Sequence, residues 1–143
     1  MLALSRVADV LGLPAKEVAS RSTFGLIQRI EGGLPIAAFE RLVRLLAPGD
    51  SQFRYRLIPK ATYERRKAAG QLSPDEGVRL ARLARVWSLA LDVWQNDTEA
   101  RDFLFRSHPM LEDRPPIDAV IRNEFGAEMV MDILAGLKYG TAA

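Results

Sequence analysis

Residues 73–94 read SPDEGVRLARLARVWSLALDVW, and this stretch sets the fold class. Ser73 and Glu76 stand at capping-box spacing. The serine hydroxyl can accept from the Glu76 N–H while the glutamate reaches back to the Ser73 N–H. Asp75 and Glu76 also suit the positive end of a helix dipole. Beyond them Leu80, Leu83, Ala84, Trp87, Leu91 and Trp94 recur every three or four residues, the signature of one helix face. Val86, Leu89 and Val93 widen that face, which predicts burial on most sides in the second half. Arg79, Arg82 and Arg85 stay on the wetter side of the first half.

The same period runs outward in both directions. Leu4, Val7, Val10 and Leu11 form a stripe stopped by Gly12-Leu13-Pro14. Phe24, Ile27 and Ile30 form a second, closed by Gly32-Gly33 as a helix C-cap. Pro35 opens a third helix with Ile36, Phe39, Val43 and Leu46 on its apolar face, ended by Pro48-Gly49. Asp50 can cap a short helix holding Phe53 and Leu57. Pro59 fits the first position of the next helix, where its missing N–H has no partner to lose. Residues 60–69 follow as a basic helix ending at Gly70. Downstream, Asn96 and Glu99 repeat the capping logic for a helix through Phe103, Leu104 and Phe105. His108-Pro109 breaks it, and residues 109–115 read as a loop. Pro115-Pro116 starts a short helix through Val120. Asn123 caps a last helix with Phe125, Met129, Val130, Ile133, Leu134 and Leu137. Gly136 and Gly140 weaken its end, so residues 134–143 read as a fraying tail or as an extended segment that docks in a partner's cleft. No alternating run is long enough for a strand. The expected fold is all-α, divided at the Gln71-Leu72 joint into regions 1–71 and 72–143.

With 143 residues, the chain can bury a core without covalent staples. Its 48% hydrophobic and 27% charged residues exclude general disorder. Cysteine is absent and His108 is the only histidine, which leaves no disulfide, no thiolate or multi-histidine metal site and no cysteine nucleophile. A serine triad would rest on His108 alone, which reads better as a loop or partner-contact residue. Glu112-Asp113 are adjacent carboxylates in a loop rather than a coupled pair. Neither a dinucleotide fingerprint nor a P-loop occurs. No catalytic residue, metal or cofactor is expected. No run approaches a membrane span, and Met1 to Arg6 lack the apolar stretch of a secretory leader, so a cytoplasmic protein is the expectation.

The net charge of +2 conceals an asymmetry: residues 1–70 sum to +6 and residues 71–143 to −4. A basic first half suits a polyanion. Residues 50–69 have the outline of helix, tight turn and basic helix, in which the second helix enters a DNA major groove. Arg54, Arg56, Lys60, Arg65, Arg66 and Lys67 are the candidate cations, and the later three would track phosphates. Thr62 and Tyr63 can bond phosphate or a base edge. The alternatives are a basic hairpin with no DNA role, which would make the chain an interaction module only, or a stand-alone transcription regulator.

Several motifs resemble one family in order. Ile58-Pro59-Lys60-Ala61-Thr62-Tyr63-Glu64-Arg65-Arg66 is similar to the IP-x-x-T-x-x-RR recognition helix of antitoxins from RES–Xre toxin–antitoxin modules, the ParS/MbcA/Xre group. Leu72-Ser73-Pro74-Asp75-Glu76 with Arg79 and Arg82 resembles that family's LS-x-x-E…R-x-x-R helix start. Ala100 to Leu104 resembles its A-x-x-[WF]-L step, and Pro109-Met110-Leu111 with Arg114 and Pro116 its P-x-L…R-x-P loop. Gly126, Val130, Leu134 and Tyr139-Gly140 resemble the closing helix. The likeness spans roughly residues 34–140. Gly77 replaces a common serine, Phe103 a common tryptophan, and Asp113 a usual glycine.

The resemblance implies an Xre-like helix-turn-helix region followed by a helical toxin-binding domain. It implies a cognate RES-domain toxin that is ADP-ribosyltransferase-like and uses NAD, whose pocket the antitoxin covers. It also implies operator DNA as a second partner, homodimers within a hetero-oligomeric complex, and a bacterial cytoplasmic setting. By position, Arg114, Lys138, Tyr139 and Gly140 are the expected toxin contacts.

Overall fold

A computed structural model describes residues 2–14 and 23–140. Two expectations fall partly outside it: the contribution of Leu4 to the first stripe, and residues 141–143 of the tail. The chain forms two compact units, residues 1–84 and 85–143. The division thus falls inside the long central helix rather than at the Gln71-Leu72 joint.

The first unit holds α1 (Leu2–Leu11), α2 (Thr23–Glu31), α3 (Ile36–Leu46), α4 (Arg54–Leu57), α5 (Lys60–Ala69) and the start of α6 (Pro74–Trp94). Its core gathers Val7, Leu34, Phe39, Leu42, Phe53 and Leu72. Gly12 ends α1 at φ +70°, and the Arg41 side chain donates to the Val10 carbonyl at 2.8 Å, tying α3 to the end of α1. Gly33 follows α2 at φ +95°, where a Cβ would stand 2.9 Å from the Gln71 side chain and 3.1 Å from the Leu72 carbonyl. Only glycine satisfies both the angle and the space. That close approach lets Ile36 N–H donate to Gly70 O at 3.0 Å and Leu72 N–H to Leu34 O at 2.8 Å. These two bonds clamp the entrance of α3 to the exit of α5. The start of α6 belongs here because Gly77 packs against Ile30 and Leu34, and Arg79 donates to the Leu57 carbonyl at 2.6 Å. Charge composition cannot reveal such contacts, which is why the joint was expected earlier in the chain.

The second unit contains the rest of α6, α7 (Asp97–Phe105), a 3-10 turn (Pro109–Leu111), α8 (Pro116–Arg122) and α9 (Glu124–Tyr139). Asn96 caps α7 by accepting from Glu99 N–H at 2.9 Å, and Asn123 caps α9 by accepting from Gly126 N–H at 3.0 Å. Trp87 is fully buried, but the end of α6 is less enclosed than expected: Leu89, Leu91, Val93 and Trp94 are only half-buried. The loop is a tight hairpin: His108 N–H donates to Arg114 O and Asp113 N–H to His108 O, both at 3.1 Å. Glu112 and Asp113 both take left-handed backbone, at φ 55° and 60°. Aspartate tolerates that region better than most residues, which explains how it can stand where the resembled family has glycine.

Secondary structure is all-helical among the described residues, with only isolated bridges at Pro35–Gln71 and His108–Arg114. Several finer expectations need correction. In α2 the buried face is Gly25, Leu26 and Ile30, while Phe24 and Ile27 are exposed. In α9 the buried face includes Gly126, Ala127 and Gly136, while Phe125, Met129 and Leu137 are exposed. Periodicity weighs bulk, whereas close helix packing selects small residues. Pro59 is the residue before α5 rather than its first, and Asp50 bonds Gln52 N–H in the preceding turn instead of capping α4. Residues 134–140 are not extended: α9 runs to Tyr139, and Gly140 closes it at φ 71°. Gly136 lies inside this helix and is buried.

Gly126 sits where α9 crosses α8, and a Cβ there would collide with the backbone carbonyl of Ala119. Backbone cannot rotate aside as a side chain can. Gly126→Ala is expected to destabilise the protein by about 1–3 kcal/mol despite the better helix propensity of alanine. Urea unfolding of the two forms measures this.

Candidate nucleic-acid and partner interfaces

Apart from Tyr63 and three alanines, helix α5 is polar, and Tyr63 is its one buried residue. The Tyr63 hydroxyl donates to Glu40 Oε2 at 2.7 Å. Arg54 donates to Glu40 Oε1 and to the Tyr63 hydroxyl, each at 3.0 Å, and its guanidinium lies over the Tyr63 ring. Phe39 and Tyr55 pack on that ring at 5.7 and 5.9 Å between centroids. Burial, followed by the bond to Glu40, pushes the phenol pKa up. Burial works against the Arg54 charge, but Glu40 and the Tyr63 hydroxyl outweigh it and raise its pKa. The network fixes α5 on α3 by a neutral phenol and a matched ion pair.

The far end of α5 is held by the capping box. Ser73 N–H donates to Glu76 Oε1 at 2.9 Å and Glu76 N–H to the Ser73 hydroxyl at 3.3 Å. Arg66 Nε donates to the same Oε1 at 2.8 Å. Burial pushes the Glu76 carboxyl up, but the bonds from Arg66 and Ser73 win and hold it below the usual glutamate range.

These contacts divide the eight candidate DNA residues. Lys60, Arg65, Lys67 and Arg56 are exposed, and Thr62 is half-buried with its hydroxyl 3.3 Å from Arg65. Arg54 and Arg66 are engaged by Glu40 and Glu76. Tyr63, 3% exposed, faces the core and has no surface for a groove. Its assignment as a DNA contact is corrected to an anchor. Sequence spacing gave no sign of this, because Glu40 lies 23 residues before Tyr63 in the chain.

In the second unit Arg114 is exposed at one rim of a shallow groove of about 510 Å³. Met110, Phe125 and Met129 also line it, 51%, 77% and 48% exposed. Arg122 and the carboxylates Glu112 and Asp118 complete the rim. The apolar spacing of the last helix does not distinguish these exposed residues from its buried ones. Lys138 pairs with Asp92 at 3.2 Å and lies over the exposed Tyr139 ring. About 15 Å of helix separate Met129 from Tyr139, so Arg114 and the Lys138–Gly140 end of α9 do not form one cluster.

No group of metal-ligating side chains occurs among the described residues, and no described helix is long and apolar enough to cross a membrane. A unit that displays a basic helix, joined in one chain to a helical unit with an apolar groove, defines a class of two-domain binding proteins. Comparison with known proteins specifies it. Residues 25–85 match the antitoxin Xre-like helix-turn-helix domain, and residues 89–140 match the antitoxin Xre/MbcA/ParS C-terminal toxin-binding domain. The chain is 31% identical over 135 residues to the antitoxin Xre of Yersinia enterocolitica serotype O:8 / biotype 1B (strain NCTC 13174 / 8081), covering 91% of this chain and 86% of that one. The chain belongs to the Xre antitoxin family, a family of binding proteins and not of enzymes.

Because the folded Glu76 pKa is depressed, its contribution to stability is full above the ordinary glutamate value of about 4.3 and fades as pH falls below it. Glu76→Gln keeps an acceptor for the Ser73 N–H but loses the charge paired with Arg66, and is expected to cost up to about 1 kcal/mol at pH 7. It should lose less further stability than the parent between pH 5 and pH 3. Urea midpoints across that range measure the difference.

Proposed function

We propose that this antitoxin neutralises a RES-domain toxin that uses NAD, by covering the toxin's NAD pocket, and that it represses its own operon in the bacterial cytoplasm. The observation that carries the reading is the presence, on one chain, of a toxin-binding unit and a helix-turn-helix unit with a cationic outer face. The toxin-binding match favours an antitoxin over a stand-alone regulator.

Neutralisation is steric in this reading. The groove rimmed by Arg114, with Met110, Phe125 and Met129, offers apolar area for a hot spot. Tyr139, 71% exposed, supplies a second contact further along α9. The acidic balance of residues 71–143 complements a cleft built for an anionic dinucleotide and steers the encounter. Operon repression uses Lys60 and Lys67 on phosphates, each displacing condensed counterions. Two copies pair so that their α5 helices meet half-sites about 34–36 Å apart.

Phe125→Asp leaves the core intact. It is expected to weaken toxin binding at least about 30-fold, as loss of a hot spot does, and to restore growth arrest on co-expression. Full neutralisation by both Phe125→Asp and Tyr139→Ala removes α9 from the toxin interface.

Separately, Lys60→Ala and Lys67→Ala should each reduce the slope of log K against log salt for operator DNA by about 1. An unchanged slope takes those lysines off the phosphates. Arg66→Ala, whose guanidinium holds Glu76, should change stability more than slope.

A further inference from the structure

Helix α5 presents a carboxylate in the middle of its cationic surface. Ala61, Glu64, Arg65 and Ala68 fall at i, i+3, i+4 and i+7, a single stripe centred on the side away from Tyr63. All four are exposed. Lys60 and Lys67 border this stripe on one edge, and Thr62 and the Glu76-bound Arg66 border it on the other. Glu64 has no hydrogen-bond or ion-pair partner among the described residues, in contrast to Glu40 and Glu76.

Two alanines in the stripe carry nothing longer than a methyl, so the helix can approach a groove floor closely at both ends of it. That approach brings the side chains at 64 and 65 to the base edges. A carboxylate facing phosphate would be repelled. In the major groove its favourable partner is an amino donor, the N4 group of cytosine, while arginine pairs with guanine O6 and N7. Resting on the reading of α5 as a DNA-binding helix, we propose that Glu64 is a specificity-determining residue that accepts from a cytosine N4 amino group, with Arg65 beside it on a guanine.

The test is selection of binding sites from a random-sequence DNA pool by the full-length protein and by Glu64→Gln, an isosteric change at an exposed position. The parent is expected to enrich a motif with cytosine required at one position of each half-site. Glu64→Gln should accept other bases there. Substituting that cytosine should cost the parent about 5- to 150-fold in affinity and the variant much less. An identical motif from both proteins, with the variant binding all sequences more tightly by one common factor, overturns the proposal: Glu64 would then only temper charge. Enrichment of no motif by the parent overturns the DNA-binding reading itself, and the proposal with it.

Discussion

The phenol of Tyr63, held between Glu40 and Arg54, fixes where α5 stands. A ten-residue helix with one buried side chain has little apolar area with which to choose an orientation. The direction comes instead from hydrogen bonds. Glu40 on α3 accepts from the phenol and from Arg54, and the ring beneath is packed by Phe39 and Tyr55. Bonds to a charged acceptor are stronger than neutral ones, and leaving Glu40 without them would strand a half-buried charge. The stripe of Ala61, Glu64, Arg65 and Ala68 faces outward because Tyr63 faces inward.

The other end of α5 follows the same logic with different groups. Glu76 serves at once as the capping partner of α6 and as the acceptor for Arg66. One carboxylate therefore couples the start of the long helix to the last turn of α5. Of the cations that make the first half basic, two are drawn into these internal pairs. Among the eight candidate residues, the exposed cations are Lys60, Arg65 and Lys67 of α5 and Arg56 before it.

In the second unit small residues decide what large ones do. Gly126 lets α9 meet the α8 backbone at Ala119, and Ala127, Val130 and Leu134 continue the buried face. That rotation turns Phe125 and Met129 outward beside Met110 and Arg114. Close backbone packing thus leaves apolar side chains exposed together beside an arginine. On α2 the buried residues are Gly25, Leu26 and Ile30, and Phe24 and Ile27 are likewise exposed.

What the sequence determined by itself was local. The all-helical class, the capping box at Ser73 and Glu76, the Asn96 and Asn123 caps and the glycine stops all depend on hydrogen bonds spanning three or four residues, so their partners stand side by side in the chain. The ordered motifs around Pro59, Ser73 and Pro109 likewise pointed to the family, because each was a short contiguous pattern. Tertiary structure alone decided which face of α2 and α9 is buried, that Tyr63 and Arg66 serve the fold, and that the units divide within α6. Each of those depends on a partner beyond the reach of one helical turn — Glu40 for Tyr63, Glu76 for Arg66, Ile30 and Leu34 for Gly77 — or on a glycine whose importance lies in the atoms it lacks.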